Sequence, residues 1–157
     1  MTEVISILAL FTSVMLLIVH YKNQIERRHG EITRLRSDFL NRLATTQQRL
    51  RSVQMHLETA RMELRHIPDC DYKYEEIEKM PKLIEKNKEV AQGVSEIKDA
   101  LKYVDTTKSN NSNTLFMLQS MENRVMSLEA NASELEKGTL STLEFIRATQ
   151  EQEEKQC

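Results

Sequence analysis

The chain has 157 residues, a net charge of −2, 29% charged residues, 5% aromatics, no Trp, three Gly and two Pro. That length allows one domain of ordinary size, but so little Gly, Pro and aromatic content excludes a β-rich domain, whose turns and core need all three. The composition predicts an all-α protein of long, charged helices with a narrow apolar seam, and the near-neutral charge offers no bulk attraction to nucleic acid.

The first element is residues 4–21, VISILALFTSVMLLIVHY, which contains no Lys, Arg, Asp or Glu. As a helix it rises about 27 Å, close to the roughly 30 Å hydrocarbon core of a bilayer. Ser6, Thr12 and Ser13 can bond back to the helix backbone, and His20 and Tyr21 fall where amphipathic rings suit the interface. A soluble core helix would show a polar stripe. A cleavable signal would begin with basic residues and end at a small-residue site, whereas this chain begins Met-Thr-Glu. Residues 1–21 are therefore predicted to be a single-pass transmembrane helix anchored by Val4, Ile5, Leu8, Phe11, Leu16, Leu17, Ile18 and Tyr21. Lys22, Arg27 and Arg28 follow. They bias the remainder toward the cytoplasm and could meet anionic lipid headgroups, each worth about 1 kcal/mol.

Residues 22–67 form the second element, a long basic coiled-coil helix. Leu43, Leu50, Leu57 and Leu64 take the a positions of four heptads, and Thr46, Val53, Ala60 and Ile67 the d positions. Ile25, Ile32 and Leu35 extend the face upstream, with a stutter where 35, 39 and 43 are each four apart. Gly30 weakens this helix by about 1 kcal/mol. Residues 22–67 hold ten Lys/Arg against five Asp/Glu, and residues 68–157 twelve against eighteen, so the two parts carry +5 and −6. Basic and acidic segments in one chain predict packing on each other or on copies.

Pro68 ends the helix, and Asp69 or Asp71 can cap the next. Within residues 68–104 a second heptad has Met80, Asn87, Val94 and Leu101 at a and Leu83, Val90, Ile97 and Val104 at d. Pro81 marks either the start of this helix or a kink in it. Asn87 at an a position either fixes register and oligomer state or sits in a wet, partly open seam. Residues 105–113 are polar loop. Residues 114–157 begin with a third helix along Leu118, Met121, Val125, Leu128, Ala132 and Leu135. Gly138 is expected to end it as a left-handed C′ residue, and Ser141 to Glu144 to cap a short last helix carrying Leu143 and Ile146. A frayed tail follows.

Two breaks between three helical stretches predict an up-down-up antiparallel bundle. In a parallel dimer of the first helix, the g residues Arg42, Arg49, His56 and Glu63 and the e residues Gln47, Gln54 and Arg61 would find no attractive ion pairs. The Glu-rich later helices would supply them, which favours intrachain packing.

Candidate chemistry is sparse. His66, Asp69, Cys70 and Asp71 are ligand types at a corner, but no second Cys/His pair accompanies them, so a capped turn is expected. No glycine-rich nucleotide loop or H-E-x-x-H occurs. Asn110-Asn-Ser and Asn131-Ala-Ser match the glycosylation pattern, which matters only in a secretory lumen. No enzyme, cofactor, small-molecule substrate or nucleic-acid partner is expected. The expected partners are the lipid bilayer and protein helices, including other copies of the chain. Cys70 and Cys157 can form a disulfide in an oxidising compartment or stay reduced in the cytosol.

The reading that results is a membrane-anchored coiled-coil scaffold or adaptor, assembled through Leu43, Leu50, Val53, Leu57, Leu64, Asn87, Val94, Leu101, Val125 and Leu128. Its layout resembles that of bacterial cell-division and envelope adaptors with a very short outer N-terminus. The order of anchor, HYKNQI stretch, long helix, break, helices and terminal Cys also resembles the inner-membrane spanin subunit of double-stranded DNA phages. That resemblance implies a periplasmic tether acting in lysis. A third alternative is an accessory subunit of a larger membrane complex.

Overall fold

In a computed structural model, the described residues are 2–67, 71–104 and 112–154, with side chains described over 10–67, 73–104 and 113–151. Every element among them is helical: α1 Thr2–Glu63, a 3-10 turn Leu64–His66, α2 Asp71–Lys102 and α3 Ser112–Glu154.

The apolar run and the first coiled-coil stretch are one helix. At 62 residues, α1 is about 93 Å long. Gly30 lies within it, and a Cβ there would meet nothing within 4 Å. After the 3-10 turn the chain opens at Ile67, φ −80 and ψ 134, the extended geometry forced on a residue that precedes proline. Lys73 Nζ donates to the Ile67 carbonyl at 2.7 Å, tying the start of α2 to the end of α1. Pro68, Asp69 and Cys70 lie outside the described residues, as does the side chain of Asp71.

α2 runs back along α1. Lys98 Nζ donates to Gln47 Oε1 at 2.5 Å, and Arg36 Nε donates to the Leu101 carbonyl at 3.1 Å. The second bond places a cation on the carbonyl-rich C-terminus of α2, which the helix dipole favours. Pro81 neither starts nor ends the helix; it lies in its interior, where it leaves the Ile77 carbonyl without its i+4 donor.

α3 turns again and runs antiparallel to α2, through Arg124–Glu96 at 2.6 Å and Lys86–Glu134 at 3.2 Å. It runs parallel to α1, with Arg42 on Glu129, Arg49 on Glu136 and Arg147 on Glu63. The predicted up-down-up order is therefore the observed one. The core runs from Ile32, Phe39 and Leu43 along α1 to Leu64 in the 3-10 turn and Ile67 at the corner. Met80, Val90, Val94, Ile97 and Leu101 join it from α2, and Leu118, Val125, Ala132, Leu135, Leu143 and Ile146 from α3.

The end of the third helix departs from expectation. Gly138 is helical, no glycine among the described residues has positive φ, and α3 continues through Ser141–Glu144 without a cap. The reason is packing. Thr139 is fully buried, its Oγ1 donating to the Leu135 carbonyl at 2.7 Å. Leu135, Thr139, Leu143 and Ile146 then carry the buried face on by steps of 4, 4 and 3. Burying Leu143 and Ile146 outweighs the roughly 1 kcal/mol that a mid-helix glycine costs. Thr46 on α1 uses the same device, donating to the Arg42 carbonyl at 2.9 Å.

Candidate interaction surfaces

The bundle covers only part of α1. Burial begins at Ile32, so residues 2–31 overhang by about 45 Å. On this overhang Leu10, Phe11, Val14, Met15, Leu16, Leu17, Ile18, Val19 and Tyr21 are 47–71% exposed. Four of the predicted anchor residues, Phe11, Leu16, Leu17 and Ile18, are thus apolar and uncovered, and Tyr21 stands beside them. The side chains of Val4, Ile5 and Leu8 lie outside the described residues. Among the described residues no helix is long and apolar enough to cross a membrane; the described side chains begin at Leu10, partway through the 4–21 run. Beyond the run, Arg27 and Arg28 are exposed. Lys22 stands 4.0 Å from Glu26, both largely in solvent, so this pair adds little.

The predicted seam residues come together. Leu43, Leu50, Val53, Leu57, Leu64, Val94, Leu101, Val125 and Leu128 are all buried, in one continuous cluster. Asn87 is buried with them at 9% exposure, and its Oδ1 has no hydrogen-bond partner. An unmatched amide oxygen in a seam costs about 1–3 kcal/mol. Gly93 lets α2 and α3 approach closely, since a Cβ there would lie 2.8 Å from Leu128 Cδ2.

Charged residues flanking the seam fix the pairing of α1 with α3. Arg42 grips Glu129 with two bonds, Nε to Oε1 at 3.0 Å and Nη2 to Oε2 at 2.5 Å. This fork-to-fork geometry is the strong form of ion pair. The hydrogen bond from Arg42 holds the Glu129 carboxyl below the usual carboxylate range, and the same bond raises Arg42 above its own. Arg49 approaches Glu136 at 3.9 Å. Glu63 Oε1 accepts from Arg147, while its Oε2 is buried without a partner. The expected matching of basic g residues with acidic later helices thus holds for Arg42 and Arg49. It does not hold for His56, whose Nδ1 is buried and unbonded, nor for the e residue Arg61, which has no ion pair among the described residues.

At the corner, His66 is exposed, and among the described residues no three His, Cys, Asp or Glu side chains gather as a metal site would require. Cys70 and Cys157 lie outside the described residues. Two features escaped the sequence reading. Glu76 occupies a d position of the second heptad and is buried, with Oε1 2.9 Å from Lys79 Nζ and Oε2 unbonded. Ile77 and Ile84, both at e, line a groove between α1 and α2. Apolar residues at two successive e positions were the available signal.

No known protein family, curated protein or solved structure matches this chain.

Proposed function

We propose that the protein is a single-pass membrane-anchored scaffold. In this reading residues 4–21 enter the bilayer, Lys22, Arg27 and Arg28 stand at the headgroups, and the three-helix bundle is held clear of the surface to receive a protein partner. One observation carries the reading. α1 leaves the bundle at Ile32 and then presents large apolar side chains on every side over residues 10–21. Uncovered apolar surface of that extent marks a membrane or protein contact. The absence of a polar stripe favours lipid, which surrounds a helix, over a partner, which covers one face. The basic residues follow the run, which supports a bundle on the cytoplasmic side.

The natural thiols test both parts. Cells making the chain are treated with a membrane-impermeant maleimide, with and without reductant, and membranes are separated from soluble protein. The expected result is membrane-bound protein whose Cys70 and Cys157 label only after permeabilisation. Labelling from outside, or a disulfide-linked species, would move the bundle across the bilayer and replace the scaffold with a periplasmic tether. Recovery in the soluble fraction would remove the anchor altogether.

A further inference from the structure

Two sets of basic residues in the bundle differ in their partners. Arg42, Arg49, Lys86, Arg124 and Arg147 each face an acid on a neighbouring helix. Arg61, Arg65 and Lys88 have no ion pair among the described residues. These three, together with Lys73, which is held by the Ile67 carbonyl, rim an open groove of about 910 Å³ between the end of α1 and the first half of α2, on which Glu85 is the only acid among the described residues. The floor is apolar: Leu64, Ile77, Met80, Pro81 and Ile84. Along α2 those residues fall at i, i+3, i+4 and i+7, one continuous face of the helix. From Lys73 to Lys88 the groove wall rises about 22 Å, the length of a 15-residue helix.

We propose that this groove binds an acidic amphipathic helix of a partner protein, which would add a fourth helix to the bundle. Charge complementarity selects the occupant. Across the α1–α3 and α2–α3 contacts the bundle matches cation with carboxylate, and at this groove Arg61, Arg65 and Lys88 have no carboxylate within ion-pair reach among the described residues. A basic or neutral helix would leave Arg61, Arg65 and Lys88 unmatched at the rim. The headgroups of the chain's own bilayer are excluded by distance, a step that rests on the proposed anchor: forty residues of helix separate Tyr21 from Arg61, about 60 Å.

The test uses the full chain in zwitterionic nanodiscs. The probe is a fluorescent 15-residue peptide with Leu at i, i+3, i+4, i+7 and i+11 and Glu on its other face. Anisotropy is expected to show saturable binding that weakens as salt is raised, and is at least about tenfold tighter than for the same peptide with Lys in place of Glu. Arg61→Glu with Arg65→Glu is expected to weaken binding at least about tenfold, Lys88→Glu and Ile77→Asp each to weaken it, and Lys137→Glu, exposed on α3, to leave it unchanged. Circular dichroism checks that each variant stays helical. Equal binding of the Glu and Lys peptides, or full binding by both rim variants, would overturn the proposal. So would a Glu peptide that fails to bind while the chain self-associates in a manner abolished by Ile77→Asp; the groove would then belong to a second copy. Failure of the chain to enter nanodiscs is read separately from co-elution, and it counts against the anchor rather than the groove.

Discussion

Between Ile32 and Glu63, α1 keeps most of its apolar residues on a stripe and buries them against α2 and α3; over residues 10–21 the same unbroken helix sets large apolar residues on every side and leaves them exposed. The difference lies in the pattern rather than in the amount of apolar surface. A 3.5-residue repeat leaves polar faces on which Arg42 and Arg49 can find acids, so a partner helix of the same kind solves the burial problem. A run with no polar face has no such solution in water.

Three measurements bear on that contrast, taken from the largest expected effect. Phe39 is fully buried at the stutter, so Phe39→Ala should cost about 3–5 kcal/mol in denaturant unfolding of the full chain in nanodiscs. Leu17→Ala, on the uncovered half, should change it by less than about 0.5 kcal/mol. A comparable loss at Leu17 would mean that the apolar run packs against protein after all.

The glycines give a smaller and sharper effect. Gly138 is helical with open space at its Cβ position, so Gly138→Ala should stabilise the protein by about 1 kcal/mol. Were Gly138 a left-handed cap, the same change would destabilise by a similar amount, so the sign of the shift in Tm decides. Gly93→Ala gains the same propensity but drives a methyl to 2.8 Å from Leu128 Cδ2. It should stabilise less than Gly138→Ala, or destabilise.

The smallest effect concerns pH. Glu129 is depressed below its ordinary value of 4.5, chiefly by the hydrogen bond from Arg42. A depressed carboxyl contributes its stability above the unfolded pKa and loses it as pH falls through the folded one. Stability should therefore drop by up to about 1 kcal/mol on acidification below the usual carboxylate range. Glu129→Gln should flatten that part of the profile.

The helical order, the seam and the use of Arg42 and Arg49 were legible because each is periodic and local. Leu at every a position from 43 to 64 has one sensible destination, and a break at Pro68 has one sensible meaning. The third helix was misread at Gly138 because a glycine followed by Ser-Thr-Leu-Glu carries real stop and start signals. Those signals lose only when Thr139, Leu143 and Ile146 find a surface, and that surface is built from residues about 80 positions upstream. The groove was illegible for a related reason. Ile77, Pro81 and Ile84 matter because the bundle leaves Ile77 and Pro81 exposed and Ile84 only half-covered, and the side of α2 that α3 takes is set by the apolar residues of all three helices together rather than by α2 alone.

Because α1 has no joint between its apolar end and the corner at Ile67, its two ends form a lever. The arm from Tyr21 to Ile67 is about 70 Å. With residues 4–21 in a bilayer as proposed, a tilt of about 20°, ordinary for a spanning helix and sensitive to membrane thickness, would swing the corner sideways by about 24 Å. A flexible linker would absorb that motion. An unbroken helix inserted in that way would instead turn local bilayer thickness into the lateral reach of the groove.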